Sequence, residues 1–138
     1  MSHKISCTWK EDMAFESMVN GHSVMIDADE AFGGKNRGPR PKPLLLTALS
    51  GCSGMDVVSI LGKMKVSFTF FNIDVEAELT DEQPHYYHTI TLIYQFKEAD
   101  NLDKAKVEKA VNLSQERYCG VAALLKKGCT LKYEIQYM

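Results

Sequence analysis

The sequence lacks the cysteine pattern of a zinc protein or of a secreted disulfide protein. Its 138 residues include four cysteines, yet none forms a CxxC pair and no Cys/His cluster has zinc-ligand spacing. The amino-terminal residues contain no apolar core of a secretory signal, and cytosolic reductants keep thiols reduced. We therefore predict no metal, no disulfide framework and a cytoplasmic location, which leaves buried thiols or redox chemistry as the role of the cysteines.

An excess of charge of one sign and an uninterrupted hydrophobic run are also missing. The formal net charge is −2, so no electrostatic footprint for nucleic acid or an anionic membrane stands out. The longest apolar-rich segment, residues 44–61, is interrupted by polar side chains such as Ser53 and Asp56, which argues against a membrane span. The apolar share of 45% and the charged share of 25% are typical of a globular protein, and we predict a single domain over residues 1–138.

The amino-terminal part of the chain has the alternation of β-strands. Ile5, Cys7 and Trp9 alternate with polar neighbours, and Asn20-Gly21 tolerates the positive φ angles of a type I′ turn. This pattern predicts a three-stranded meander over the first 27 residues. Residues 28–43 are rich in glycine, proline and basic side chains, which predicts an irregular loop, but they lack the GxxxxGK[ST] pattern of a phosphate-binding loop.

From residue 44 to about 61 the pattern is helical and apolar on nearly every face, and the prolines just before it suit a first helical turn. Such a helix should be buried on most faces. In a domain this small, that implies cover from a sheet on one side and favours a second subunit on the other.

The rest of the chain predicts two strands, two helices and a last strand. The first strand of the pair, 66–79, changes phase near Phe71-Asn72, which indicates a β-bulge. Asp100 or Asn101 can cap the helix that follows the second strand. The full order is βββ-α-ββ-αα-β, which predicts an α+β domain.

Cys52 is the first candidate for chemistry because glycines flank it inside the long helix. Gly51 and Gly54 each cost about 1 kcal/mol relative to alanine in a helix interior, so we expect them to allow close approach of another backbone or a ligand. A small buried thiol is the alternative at this stage.

Cys119 is the second candidate. It lies close to the predicted start of the short last helix and near Arg117, and both features favour a thiolate. A buried cysteine in a helical bend is the alternative. Cys7 and Cys129 occupy apolar strand positions, where we expect structural thiols.

Two segments of the chain resemble the OsmC/Ohr family, that is, osmotically inducible protein C and the organic hydroperoxide resistance proteins. Residues 38–52, GPRPKPLLLTALSGC, look like the family's helix-borne first-cysteine motif, and residues 111–121, VNLSQERYCGV, are similar to its second-cysteine segment. The element order also matches. The resemblance implies a divergent OsmC-like fold with a long central helix against an antiparallel sheet, in an intertwined homodimer with the cysteine-bearing helices at its centre.

The resemblance also implies a function, that of an antioxidant thiol peroxidase that reduces organic hydroperoxides. By that analogy Cys52 is the peroxidatic residue and becomes a sulfenic acid, and Cys119 resolves it to a disulfide. A dithiol reductant, lipoyl groups in particular, then regenerates the thiols. No cofactor is expected.

One departure from the family bears on this expectation. Lys42 stands where the well-studied peroxidases carry a glutamate, and the early arginine that this glutamate holds over the thiolate has no counterpart before Arg37. Arg37, Arg40 and Lys42 are therefore candidates for stabilising the thiolate of Cys52, with solvated loop charges as the alternative. The departure keeps a second hypothesis, a non-catalytic OsmC-like dimer that binds a small molecule or senses redox state.

Overall fold

Two three-stranded sheets and three α-helices make up the protein, and a computed structural model describes all of residues 1–138. The strands are β1 (Ser6–Glu11), β2 (Ala14–Val19), β3 (His22–Ile26), β4 (Phe71–Leu79), β5 (Tyr87–Phe96) and β6 (Thr130–Tyr137). The helices are α1 (Leu44–Lys63), α2 (Lys104–Leu113) and α3 (Gly120–Leu125). The chain divides into two units, Met1–Leu46 and Thr47–Met138.

The first unit contains the predicted meander, with β1, β2 and β3 paired antiparallel in sequence order. Asn20 and Gly21 have φ angles of 51° and 79°, and they connect the paired residues Val19 and His22. This geometry confirms the type I′ turn. The loop after β3 is irregular, as predicted, apart from one 3₁₀ turn at Glu30–Phe32.

The second unit contains the other sheet, in the order β4-β5-β6. Strands β4 and β5 are antiparallel, whereas β5 and β6 are parallel. Parallel neighbours need a crossover connection, and the segment with α2 and α3 supplies it. The α+β class and the element order are confirmed, but the second sheet is mixed and not antiparallel throughout.

Two details of the second unit correct the sequence predictions. Strand β4 begins at Phe71, so the change of phase marks the start of the strand and not a bulge within it. The cap of α2 is Asp103, whose Oδ1 accepts a hydrogen bond from the Lys106 N–H at 3.2 Å. Asp100 instead accepts hydrogen bonds from the backbone and hydroxyl of Thr69, so neither it nor Asn101 caps the helix.

Helix α1 is buried along one face only. Its buried residues recur every fourth position, as a single helix face requires, and are Leu49, Ser53, Val57 and Leu61. Burial of each of the three apolar members contributes about 1.5–3 kcal/mol. On another face Met55 is 76% and Val58 is 48% exposed. By length and mean hydropathy, 1.7, α1 is also apolar enough to cross a membrane, a criterion that core helices of soluble proteins meet as well.

Candidate functional site

Cys52 and Cys119, far apart in sequence, are neighbours in the second unit. Cys52 lies half-buried in the middle of α1, and Cys119 is only 3% exposed at the start of α3. The two thiols are close enough for Cys52 to raise the pKa of Cys119. Both residues are free thiols. The fold therefore brings together the two cysteines that sequence reasoning singled out.

The surroundings of Cys119 keep its thiol protonated. Burial is the main cause that raises the pKa of Cys119 to about 11. The N–H of Ala122 lies 3.3 Å from the sulfur and lowers the pKa, but by less. Neighbouring Cys52 and Asp56 add to the rise. The prediction that a helix N-terminus and Arg117 favour a thiolate here is wrong, because loss of hydration outweighs one N–H donor. The Arg117 guanidinium lies over the Tyr118 ring, 5.6 Å from its centroid.

A π-helical turn, Ser114–Tyr118, leads from α2 to Cys119. The Cys119 N–H donates to the Ser114 carbonyl at 2.9 Å, a wider closure than in an α-helix. Single π-turns are rare and recur at functional sites. Lys126, the residue that follows α3, bonds this segment: its Nζ donates to the Gln115 carbonyl at 2.6 Å. The position of the Cys119 thiol thus depends on how this turn is held.

A buried cluster of hydroxyl and amide groups holds the turn against α1 and β5. The hydroxyl of Ser53, next to Cys52 in sequence, lies 2.5 Å from the Tyr94 hydroxyl and 2.8 Å from that of Ser114. Gln115 Nε2 donates to the Tyr94 oxygen at 2.5 Å. All four side chains are at least 96% buried, and no buried side-chain polar atom lacks a partner. Such a fully bonded network fixes one packing arrangement.

The cluster extends to one charged group, Asp56. Its Oδ2 accepts a hydrogen bond from the Ser114 hydroxyl at 3.0 Å. Asp56 is four residues after Cys52, so both lie on the same face of α1. This cluster was not predicted from the sequence. Ser114 follows the apolar stripe of α2, Val107, Ala110 and Val111, at the same helical spacing. A polar residue at such a position is unusual, but it does not by itself report its partners on α1 and β5.

Two cavities adjoin the cysteine-bearing helix within the second unit. One, of about 550 Å³, runs along α1 past Gly51 and Gly54 to Phe71 and Ile73. The other, of about 470 Å³, lies between Asp56 and Lys63 on α1 and Leu113 and Tyr118 opposite; its full lining is Asp56, Ser59, Ile60, Lys63, Leu113 and Tyr118.

The two glycines beside Cys52 have different surroundings. A side chain added at Gly51 would meet nothing within 4 Å, whereas one at Gly54 would touch the Ile73 side chain at 3.4 Å. The close approach of a backbone predicted for these glycines is therefore not found within this chain, since the contact at Gly54 is an ordinary van der Waals distance to a side chain.

The basic loop residues have their partners inside the first unit. Arg37 Nη2 lies 2.6 Å from Asp12 Oδ2, and its Nη1 donates to the Glu11 carbonyl at 3.2 Å. Arg40 donates to the Asn36 side chain and, at 2.6 Å, to the Gly38 carbonyl. Lys42 is exposed in the turn just before α1. A role for Arg37, Arg40 or Lys42 beside the Cys52 thiolate stays a prediction.

A single carboxylate, Asp27, organises this loop. It is 1% exposed and accepts hydrogen bonds from the backbone N–H groups of Ala28, Lys35 and Arg37 at 2.7, 3.2 and 3.1 Å. Burial alone would raise the pKa of Asp27, but the three N–H donors lower it overall. The loop can close this tightly because residue 34 is glycine: a Cβ there would lie 1.9 Å from the Ala28 carbonyl oxygen.

The other two cysteines stand apart from the pair. Cys7 is exposed on β1, so the expectation of a structural thiol does not hold for it. Cys129 lies just before β6 and not within the strand. The half-buried Cys129 donates to the Leu125 carbonyl at 3.1 Å. No group of three or more His, Cys, Asp or Glu side chains is placed to hold a metal ion.

Comparison with known proteins places this arrangement in a family. Residues 33–134 match the family model described as OsmC-like protein. Protein YhfA of Escherichia coli K12 is 31% identical over 129 residues, which covers 93% of this chain and 92% of that protein.

Solved structures agree in fold. A protein from Aquifex aeolicus, described as hypothetical, superposes with a TM-score of 0.84 at 24% identity, over 100% of this chain and 98% of its own. The organic hydroperoxide resistance protein OhrB of Bacillus subtilis superposes at 0.69 with 17% identity, over 99% and 98%. At these identities the structures establish the fold alone. With a family model that matches most of the chain, the protein belongs to the OsmC-like family.

Proposed function

We propose that this protein is a thiol peroxidase that reduces organic hydroperoxides with Cys52 and Cys119. The observation that carries the proposal is the proximity of the half-buried Cys52 to the buried Cys119, whose pKa Cys52 helps to raise. Some structural relatives are named organic hydroperoxide resistance proteins, and this shared fold supports the choice of substrate class.

The reaction divides into two steps. The Cys52 thiolate attacks one oxygen of the hydroperoxide, an S–O bond forms as the O–O bond breaks, and the alkoxide takes a proton to leave as an alcohol. Cys52 is then a sulfenic acid. The Cys119 sulfur attacks the Cys52 sulfur, an S–S bond forms as the S–O bond breaks, and hydroxide leaves as water with the proton of the Cys119 thiol. A dithiol, for example of the lipoyl type, reduces the disulfide and is itself oxidised.

The electrostatics of Cys119 support this division of roles. A thiol with a pKa of about 11 is a poor first nucleophile near neutral pH, because the thiolate is the reactive form. Cys52 is also the more exposed of the two. The cation that would favour its thiolate is proposed to come from Arg37, Arg40 or Lys42, because the family's glutamate and early arginine have no counterparts in this sequence.

The working form is proposed to be a homodimer in a reducing compartment such as the cytoplasm. Met55 and Val58 on α1 are large apolar side chains with 76% and 48% exposure, and they line the open 550 Å³ cavity together with Gly51. A second copy packed on this face would bury Met55 and Val58. It would also approach Gly51, where the absence of a side chain leaves room for a close contact. Sedimentation equilibrium is expected to give twice the mass of the chain, and Met55→Glu to give the single mass.

The second candidate is a non-catalytic OsmC-like dimer that binds a small molecule or senses redox state. Two observations favour it: Lys42 at the family's glutamate position, and Arg37 paired with Asp12 at 2.6 Å. In a binding protein, Cys52 and Cys119 would oxidise only slowly; a sensor would form the disulfide without repeated turnover of hydroperoxide by a dithiol.

Peroxide kinetics separate the candidates. The reduced protein is mixed with cumene hydroperoxide or H₂O₂, and free thiols and intact mass are followed over time. The peroxidase predicts rapid loss of about 2 Da, one disulfide, with the organic peroxide, and no such loss in Cys52→Ser. Cys7→Ser is the matched control and should react like the wild type. No reaction over minutes at low millimolar peroxide would reject the peroxidase in favour of the second candidate.

A further inference from the structure

We infer that Ser114 and Asp56 are positioning residues for the resolving thiol. Their hydrogen bond holds the π-helical turn that precedes Cys119 against α1, the helix of Cys52; we call this contact the latch. The inference deepens the proposed function, on which it rests, by assigning residues to its second step. Asp56 lies outside both cysteine segments, whereas Ser114 lies within the second one, five residues before Cys119. Neither residue makes a hydrogen bond to the Cys52 or Cys119 sulfur; the backbone N–H of Ala122 is the donor at the Cys119 sulfur. Their effect on the position of Cys119 would therefore pass through the backbone, in addition to the direct effect of the Asp56 charge on the pKa of the Cys119 thiol.

The latch consists of two links in series. The Ser114 hydroxyl lies 2.8 Å from the Ser53 hydroxyl and 3.0 Å from Asp56 Oδ2, so it bonds α1 at two successive turns. The Ser114 carbonyl accepts the N–H of Cys119 at 2.9 Å. One fully buried serine thus connects α1, through its side chain, to the backbone of Cys119, through its carbonyl.

The location of the latch makes it a determinant of the reaction and not only of folding. A nucleophile held at the right distance reacts far faster than one that must find its target, and small displacements forfeit much of that gain. A sulfenic acid that is not resolved reacts with further peroxide and becomes a sulfinic acid. The latch is therefore expected to determine what fraction of the Cys52 sulfenic acid forms the disulfide with Cys119 and what fraction is oxidised to the sulfinic acid.

Asp56 could act instead as a base that removes the Cys119 proton, and the two roles predict different variants. As a positioning residue Asp56 needs only an oxygen that accepts the Ser114 hydroxyl, which Asn supplies and Ala does not. As a base it needs the carboxylate, so Asn and Ala would fail alike. We assign positioning because Asp56 touches Ser114 and because its charge raises the pKa of Cys119.

The test measures resolution without any peroxide, in a protein with Cys7→Ser and Cys129→Ser. One equivalent of 5,5′-dithiobis(2-nitrobenzoate) forms a mixed disulfide on Cys52 and releases one thionitrobenzoate. Attack by Cys119 then releases a second, whose rate reports closure alone. Ser114→Ala and Asp56→Ala are expected to slow the second release at least about tenfold, and Asp56→Asn to stay within about threefold of the parent.

Controls keep the result independent of folding and of the proposed function. Asn112→Ala changes an exposed side chain two residues before Ser114 and should close at the parent rate; circular dichroism and melting curves establish that each variant is folded. If Ser114→Ala fails to fold, the Asp56→Asn and Asp56→Ala pair decides alone. Parent-like closure in Asp56→Ala, or an equal loss in Asp56→Asn, overturns the inference. A protein that closes but ignores hydroperoxides refutes the peroxidase and leaves the latch standing.

Discussion

The loop after β3 and the turn before Cys119 are both irregular segments held by polar side chains, but by opposite kinds of chemistry. The loop depends on charges: Asp27 accepts three backbone N–H groups, and the pair of Arg37 and Asp12 lies at the surface. The turn depends on neutral groups, the hydroxyls and amide around Ser114, all buried, with a carboxylate only at the edge. One small protein thus holds two irregular segments in place by different means, one with charged side chains and one with neutral ones.

The difference follows from what each medium allows. Charged groups near water keep their hydration, so the surface pair of Arg37 and Asp12 contributes little. The buried Asp27 carboxylate is tolerated because three backbone N–H groups replace its hydration. Burying an unpaired charge costs far more than burying a hydrogen-bonded hydroxyl. Neutral hydroxyl and amide groups also bring no charge close to the Cys119 sulfur, so its pKa is determined mainly by burial. The region around Cys119 therefore combines firm positioning with a weakly acidic thiol.

The largest expected effect concerns the Cys119 thiol. With a pKa of about 11 against an ordinary 9.0, about a hundredfold less thiolate is present at pH 8, and alkylation by iodoacetamide should slow by a similar factor. The measurement uses a protein with Cys52→Ser, Cys7→Ser and Cys129→Ser, in which Cys119 is the only thiol. This protein retains the burial of Cys119, which is the largest cause of the raised pKa. The same protein unfolded in guanidinium is the control. Equal rates in folded and unfolded protein would contradict the assignment.

The same shift gives a pH dependence of stability. Because the folded-state pKa is raised, the contribution of Cys119 is fully present below the ordinary pKa of the thiol and is lost as the pH rises from about 9 to 11. Urea midpoints of the single-cysteine protein should fall across that range more than those of its Cys119→Ser variant.

The next effect concerns the neutral cluster. Tyr94→Phe removes the hydroxyl that lies 2.5 Å from both Ser53 and Gln115 Nε2 and leaves those groups buried with fewer partners. We expect a loss of about 1–3 kcal/mol in the free energy of unfolding, measured in urea. Tyr86→Phe, at an exposed position, is the matched control and should change little. A loss of the same size in both variants would mean that the cluster contributes nothing specific.

A smaller and local effect is expected at Asp27. Asp27→Asn removes the charge that three N–H donors stabilise and should loosen the loop without unfolding the core. Trypsin is a suitable probe, since Arg40 and Lys42 precede prolines and only Lys35 and Arg37 are cleavable nearby. Cleavage there should become severalfold faster, while Glu30→Gln, on an exposed side chain, should leave it unchanged.

The Asp27 contribution also depends on pH, in the opposite sense to that of Cys119. The folded-state pKa is lowered overall, so the contribution is present above the ordinary carboxyl pKa near ~4 and is lost as the pH falls through the lower folded value. The amide NMR signals of Ala28, Lys35 and Arg37 should shift together in that acidic range. Titration of these signals at or above the ordinary pKa would contradict the hydrogen-bonded carboxylate.

The smallest effect on stability is expected from Arg37→Ala, because its partner Asp12 is at the surface. The melting temperature should not change measurably. The same variant also tests whether Arg37 activates Cys52. An unchanged rate of peroxide reaction would leave Arg40 and Lys42 as the candidates. A strong loss of rate would identify Arg37 as that cation.

Sequence reasoning reached the meander, the long helix and the two cysteines because each has a local signal: alternation, apolar periodicity, and glycines beside Cys52. It missed what depends on tertiary contacts. The π-turn and the cluster around Ser114 join side chains from α1, β5 and α2, and no local pattern reports such a meeting. The thiolate predicted for Cys119 failed for the same reason, since burial outweighs the local N–H donor.

The direct test of the central claim, that Cys52 and Cys119 form one redox pair, is a non-reducing peptide map. The reduced protein is treated with one equivalent of cumene hydroperoxide, its remaining thiols are alkylated, and it is digested and analysed by mass spectrometry. The account predicts a single major cross-link between the peptides that contain Cys52 and Cys119, with Cys7 and Cys129 alkylated. Oxidation at Cys7 or Cys129 instead, or a sulfinic acid at Cys52 with Cys119 left as a free thiol, would contradict it.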